Sequence, residues 1–342
     1  MAGKRQILKR NQRMDLYRGI AIYAVISIHV LFPGTFGEGV RALARYAVPF
    51  FFLTAGYFNF NAAPKALGRR AFRTFKQLVL ASLLYLLLGC VLTARKGDAV
   101  LAWVKGFWDT HYLMEFLQFH TVPFPYAWQL WFLGAMLMVY LLWWAFSTLF
   151  EAGGRELPYD GFAVAAAALL AVHLVLGEGA VLLGREMDNR ILRNAFLDGF
   201  PFFALGSWAA WRRRDIKAAR VPWHWLILAG GVLSLVESRV FGRQELYLGT
   251  LVMLVGLMGR CIRYRRASQG KLSRFLQFCG HELTLPVFVV HMVVVGLIRE
   301  LPALGWLSGL TWVLPVVVAA LSTLIALGYT LGKAKLTGRM GR

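Results

Sequence analysis

Ten apolar segments separated by short connections constrain this chain more than any other feature of its sequence. They run approximately over residues 14–33, 41–60, 78–94, 128–150, 161–182, 195–211, 223–241, 246–259, 280–298 and 309–331. A membrane-spanning helix needs about 20 mostly apolar residues. With 58% hydrophobic and 16% charged residues, the chain has too few polar side chains to cover a soluble domain of its length. The pattern predicts an all-α polytopic membrane protein with about ten transmembrane helices, forming a single domain over residues 1–342.

The basic residues between these segments predict the orientation. If the N-terminus is cytoplasmic, 26 Lys and Arg lie on that side and 8 on the opposite side. This asymmetry is the positive-inside pattern, so the basic segment 1–13 and the tail 332–342 are both predicted to be cytoplasmic. The net charge of +21 then reflects topology rather than a nucleic-acid partner. The first segment is interpreted as a retained helix because no small-residue cleavage site follows it.

The longest outer connection, residues 95–127, is rich in Trp, Phe, Tyr and His. Three interpretations stay open for it: a re-entrant or interfacial segment, a lid over a site, and an aromatic belt at the lipid headgroups.

The first apolar segment carries ionisable side chains that membrane spans rarely contain. Arg18 and His29 are eleven residues apart, which is 1100° of helical rotation, about 20° more than three full turns. The two side chains therefore lie on the same face of the helix, about 16 Å apart along its axis. Asp15 lies three residues before Arg18 and can pair with it on that face. Because histidine exchanges protons near neutral pH, the segment predicts a polar path entered from the cytoplasm, with His29 as a candidate base. A hydrogen-bonded structural histidine is the alternative.

Two other intramembrane positions are weaker candidates. His291, in GHELTLPVFVVHMVV, either lines a central cavity or packs in the core. Glu282 lies nine residues earlier and therefore half a turn away in a regular helix. We predict no metal site, because neither H-x-x-x-H nor H-E-x-x-H spacing occurs.

A basic cluster, KALGRRAFRTFK, follows the second apolar segment and contains Arg69, Arg70 and Arg73. Guanidinium groups at a helix start are suited to binding phosphates. Anionic lipid would attract the same charges, so the sequence leaves both roles open.

Six short elements occur in order along the chain. Arg18-Gly19-Ile20-Ala21 through His29 matches R-G-x-A…H, and VPFFFLTAGYF is similar to V-P-x-F-F-x-x-S-G-[FY]. Four further elements follow. RRAFR is similar to R-R-x-x-R, and QLWFLGAML is similar to W-[FY]-L. FPFFALGSW is similar to F-x-x-G, and GHELTLPVFVVHMVV is similar to G-x-x-S-[YF]-x-x-Y-x-x-H. Together these elements resemble the acyltransferase-3 family of multi-pass membrane enzymes. Thr54-Ala55-Gly56 replaces the usual S-G start, and Thr284 and Pro286 also depart from the pattern, whereas Arg18 and His29 do not.

The resemblance implies an acyl-CoA-dependent membrane O-acyltransferase of a bacterial cytoplasmic (inner) membrane. It would transfer an acyl group, expected to be acetyl, from cytoplasmic acyl-CoA to a hydroxyl of an extracytoplasmic glycan or lipid-linked sugar. No metal and no nucleic acid are expected; membrane lipids are expected partners, and a homo-oligomer is left open. The implied roles are general base for His29, cofactor or charge support for Arg18, CoA phosphate binding for Arg69, Arg70 and Arg73, and substrate or cavity contacts for Asp15, Trp131, His291 and Glu282.

Two other classes of function stay open at this point. Buried Arg, His and Glu residues also occur in proton-coupled secondary transporters of small polar solutes, although these often show two related halves, which this chain lacks. A non-catalytic membrane scaffold is the second class, and it would make no demand on the spacing of Arg18 and His29.

Overall fold

A computed structural model describes residues 8–185 and 187–336, which contain helices and no strand. The α-helices are α1 Gln12–His29, α2 Gly34–Ala44, α3 Ala47–Asn59, α4 Pro64–Arg95, α5 Val100–Lys105, α6 Thr110–Phe119, α7 Trp131–Ala152, α8 Tyr159–Leu174, α9 Ala180–Leu182, α10 Asn189–Leu192, α11 Phe200–Trp211, α12 Arg213–Ala218, α13 Trp223–Val240, α14 Leu248–Arg263, α15 Lys271–Phe278, α16 Thr284–Glu300 and α17 Leu314–Leu336. Single π-helical turns, Val175–Gly179, Ala195–Gly199 and Cys279–Leu283, precede α9, α11 and α16, and 3₁₀ turns cover Trp128–Leu130 and Pro302–Gly309.

Each of the ten predicted apolar segments contains a helix. Within the described ranges, five helical runs are long and apolar enough to cross a membrane: Pro64–Arg95, Trp128–Ala152, Tyr159–Leu182, Lys271–Glu300 and Leu314–Leu336. The helical class is therefore confirmed. The count of ten spans and the cytoplasmic side of the termini stay predictions.

Several connections predicted as loops are helical. Helix α4 begins at Pro64, so the basic cluster occupies its first turns rather than a loop. Proline is favoured at this first position because its missing N–H has no partner in a helix start. Helix α2 covers the whole of the short connection at residues 34–40, and α5 and α6 lie within residues 95–127. Apolar content indicates only the part of a helix that lipid covers. A helix can continue beyond that part into polar residues, so the predicted segment 78–94 is shorter than α4.

The helices form two compact units. The amino–carboxyl unit contains residues 11–47 and 264–336, and the central unit contains residues 8–10 and 48–263. In the amino–carboxyl unit, α1 packs against α15, the π-turn Cys279–Leu283, α16 and α17. The Asn11 side chain caps α1 by accepting hydrogen bonds from the backbone N–H groups of Arg13 (3.1 Å) and Met14 (3.2 Å).

Two glycines set the distance between α1 and the helix that follows residue 270. A Cβ atom at Gly19 would overlap the Leu276 carbonyl oxygen, and one at Gly280 would overlap the Asp15 carbonyl oxygen. Small residues that let two backbones approach are typical of helix contacts within membranes, where packing replaces the hydrophobic effect. Gly19 directly follows Arg18, so the close approach occurs beside the polar face of α1.

In the central unit, α4 packs on α7, α8 on α11, and α13 on α14. The aromatic segment 95–127 is anchored to this unit through His120, which is fully buried and accepts a hydrogen bond at Nε2 from the Ala195 N–H (3.1 Å). Its Nδ1 lies 3.1 Å from the Phe116 carbonyl oxygen. Glu115 and Arg190 add an ion pair at 3.0 Å. Burial lowers the pKa of His120 below its usual value, so the anchor is a neutral imidazole.

Candidate active site

Helix α1 is unbroken from Gln12 to His29, as the eleven-residue spacing of Arg18 and His29 requires. Asp15, one turn before Arg18, is 3% exposed. His29 is the last residue of the helix, whereas the predicted segment ran on to residue 33. The chain turns here because Pro33 and Gly34 follow, and Gly34 has a left-handed φ of 62°. The imidazole therefore lies on the final turn of α1.

The structure brings His291 to His29. The two ring centroids are 5.4 Å apart and the rings are tilted by 37°. His291 is fully buried, with Nδ1 located 2.8 Å from the Phe288 carbonyl oxygen and 3.3 Å from that of Val287. Because carbonyl oxygens only accept, the hydrogen of a neutral ring is assigned to Nδ1 and a lone pair to Nε2. No described residue bonds to that buried Nε2 atom.

The backbone around Gly280 positions this imidazole pair. The π-turn Cys279–Leu283 lies against α1 and leads into α16, which carries His291. The Tyr23 hydroxyl lies 3.3 Å from Cys279 Sγ and 3.0 Å from Thr323 Oγ1, which links α1 to the π-turn and to α17. Single π-turns are rare and occur often at functional sites.

Glu282 is not part of the imidazole pair. Its side chain is 47% exposed, and its Oε1 lies 2.6 Å from His281 Nδ1. The π-turn changes the helical register before α16, so the rotation calculated from a regular helix does not apply between Glu282 and His291.

The remaining predicted site residues lie in the central unit. Arg69 and Arg73 are exposed on the first turns of α4, and the half-buried Arg70 donates a hydrogen bond to Asn59 Oδ1. Trp131 is the first residue of α7 and is 8% exposed. Across residues 8–185 and 187–336, no group of three or more His, Cys, Asp or Glu side chains could hold a metal ion.

One buried cation was not predicted as a site residue. Arg45 is 6% exposed and lies at the break between α2 and α3, in the same unit as the imidazole pair. An arginine within an apolar segment is costly to bury and is a functional candidate on that ground. Its position inside the predicted segment 41–60 was the signal available in the sequence.

These features define a multi-pass membrane protein with a histidine pair in its amino–carboxyl unit. A sequence model of the acyltransferase domain called acyltransferase-3 matches residues 11–331, nearly the whole chain. The chain therefore belongs to the acyltransferase-3 family, which confirms the resemblance seen in the six elements. The family indicates that the protein is a membrane acyltransferase. No curated protein and no solved structure shows significant similarity to this chain.

Proposed function

We propose that this protein transfers an acyl group, in the first instance acetyl, from cytoplasmic acyl-CoA to a hydroxyl of a glycan or lipid-linked sugar outside a bacterial cytoplasmic membrane. The observation that carries the proposal is the contact between His29 and His291, with ring centroids 5.4 Å apart. The two residues are 262 positions apart and lie on two sequence elements that resemble the family's first and last ones. An acyl transfer to a hydroxyl needs a base at the attacking oxygen, and an imidazole is the most common one.

In the proposed reaction, the acceptor hydroxyl gives its proton to His29 while its oxygen forms a bond to the thioester carbonyl carbon. The carbon–sulfur bond then breaks, and the proton held by the imidazolium passes to the CoA sulfur. The products are an acyl ester and the free CoA thiol. No metal or further reactant is needed for this balance.

His291 would hold the acceptor in this scheme. A buried acceptor atom without a partner costs about 1–3 kcal/mol, and the Nε2 atom of His291 is such an atom among the described residues. A second hydroxyl of the sugar, next to the attacking one, would donate its hydrogen to this Nε2 atom, so that the attacking hydroxyl keeps its own proton for His29.

Arg18 would serve the donor rather than the reacting carbonyl. Arg18 and His29 share a face of α1, but they lie about 16 Å apart along the helix axis. This distance is too large for both side chains to contact one carbonyl group. Arg18 would therefore bind acyl-CoA nearer the cytoplasm, with Asp15 orienting its guanidinium. Arg69, Arg70 and Arg73 would bind CoA phosphates.

The test uses the purified full-length protein in proteoliposomes with acetyl-CoA labelled in the acyl group. We expect release of the CoA thiol together with label in the glycan fraction. A secondary transporter would move solute without consuming thioester, and a scaffold would do neither, so unchanged acetyl-CoA in the presence of envelope glycans contradicts the proposal. Mass spectrometry of envelope glycans from cells with and without the gene would then identify the acyl group and the acceptor.

A further inference from the structure

A cavity lies in the central unit, at the helix ends that are predicted to face the cytoplasm. Its volume is about 410 Å³, within the range of small-molecule sites. Its walls are formed by the turn between α3 and α4, the end of α7 with the loop that follows it, the start of α8 and the end of α11. These connections belong to segments 61–77 and 151–160, and to the residue that precedes segment 212–222, all of which the positive-inside pattern predicts to be cytoplasmic.

One wall of this cavity is an aromatic surface. Tyr159 is 8% exposed, and its ring contacts that of Phe60, at 5.1 Å, and that of Trp211, at 5.9 Å in a stacked arrangement. Its hydroxyl accepts a hydrogen bond from the Asn61 backbone N–H at 3.2 Å. Phe150 also lines the cavity. Aromatic walls of this kind accept the flat face of a nucleobase.

Several guanidinium groups lie near the aromatic wall, and one of them, that of Arg212, is paired with Asp160 at 3.0 Å. Arg213 lies 5.6 Å above the Phe60 ring, and Arg212 lies 4.2 Å above the Trp211 ring. Arg70 donates to the side chain of Asn59, the residue before Phe60, and Arg155 lines the cavity itself. Arginine is the side chain best suited to bind phosphate oxygens in pairs.

The interior also carries polar groups that a lipid tail would leave unsatisfied. Ser147 is 6% exposed, lines the cavity, and its Oγ bonds to no described residue. Glu151 and Glu156, both of them exposed, line the cavity too. Carboxylates repel phosphates but accept hydrogen bonds from an exocyclic amine, so a ligand with an amine-bearing ring inside and phosphates toward the arginines fits this lining.

We propose that this cavity binds the adenine nucleotide end of acyl-CoA. The proposal rests on the proposed acyl transfer, and it goes further by assigning a donor-binding site, remote in sequence from His29, to the central unit. The adenine ring would lie against the aromatic wall, with its amine toward the glutamates, and the phosphates would contact the arginine side chains. The site would contribute to donor affinity and would leave the chemical step unchanged.

The experiment compares the full-length wild type with Ala62→Trp, which places a large ring in the cavity. Ala152→Trp is the matched control, because Ala152 ends α7 nearby, is exposed and does not line the cavity. Equilibrium binding of adenosine 3′,5′-bisphosphate is measured first. Steady-state kinetics then compare acetyl-CoA with acetyl-pantetheine, which lacks the nucleotide.

For Ala62→Trp we expect the Kd for the bisphosphate and the KM for acetyl-CoA to rise by about tenfold or more. The kcat should stay within about twofold of the wild-type value, and the KM for acetyl-pantetheine should not change. Ala152→Trp should match the wild type. Equal bisphosphate binding by all three proteins, or an equal rise in KM for both donors, overturns the site. If Ala62→Trp does not fold, Ser147→Val replaces it in the same comparison.

The two proposals fail in different ways. If the wild type binds the bisphosphate but transfers no acyl group from either donor, the proposed acyl transfer is wrong and the nucleotide site stands. If the wild type transfers acyl groups but does not bind the bisphosphate, only the nucleotide site is wrong.

Discussion

A methyl group added at Gly280 should move α1 away from the helix that carries His291. An ideal Cβ atom at residue 280 lies 2.6 Å from the Gly19 backbone nitrogen and closer still to the Asp15 carbonyl oxygen. Because carbon atoms pack favourably only at about 3.5–4.0 Å, relief of the Gly19 contact alone needs a separation of about 1 Å, and the closer Asp15 contact needs more. His29 and His291 lie on the two helices that separate, so their contact at 5.4 Å changes with them.

The expected effect of Gly280→Ala follows from this displacement. A misplacement of about 1 Å can reduce an enzymatic rate by about 10²-fold, and overpacking destabilises by about 1–3 kcal/mol. The assay measures initial rates of CoA release and the thermal midpoint of the purified protein. Gly328→Ala is the control, because nothing lies within 4 Å of its ideal Cβ position on α17 and alanine favours a helix by up to about 1 kcal/mol. Full activity and an unchanged midpoint for Gly280→Ala would refute the close-contact argument.

Three further predictions test other parts of the molecule. His291→Asn should raise the KM for the acceptor by about 10–100-fold, because it removes the Nε2 atom that would hold the acceptor beside His29; an unchanged KM for the acceptor would contradict the role. The double variant Arg69→Ala, Arg73→Ala should raise the KM for acetyl-CoA about tenfold if these side chains bind phosphates, whereas a role in topology alone predicts an unchanged KM and altered insertion. As pH falls below about 6.5, an unfolded histidine becomes protonated more readily than buried His120, because burial lowers the pKa of His120. The folded state therefore loses stability as pH falls, so the thermal midpoint should drop from pH 7.5 to 5.5 and should drop less in His120→Asn.

The sequence was sufficient to predict the helical class, the approximate place of each apolar helix, and the continuity of α1 between Arg18 and His29. These predictions depend on local quantities, namely apolar run length and helical rotation, which a single segment contains. The family resemblance depended on the order of six short elements, and it is confirmed over residues 11–331.

The contact between His29 and His291 could not be derived in the same way. It depends on how closely α1 approaches α15 and α16, and that distance is set by Gly19 and Gly280, whose partners are not visible in the sequence. The π-turn Cys279–Leu283 also adds a register change between Glu282 and His291, which the rotation of a regular helix does not include. The cavity beside Tyr159 was also missed, because its lining comes from three connections that are distant in sequence.

The kcat of His29→Ala is the most direct test of the central claim that this imidazole takes the proton of the acceptor hydroxyl. The variant is compared with His224→Ala, which removes an exposed histidine from the first turn of α13. We predict that kcat for His29→Ala falls by about 10²–10⁴-fold, with membrane insertion and thermal midpoint retained, while His224→Ala behaves as the wild type. Acyl transfer at the wild-type rate by folded His29→Ala would contradict the account.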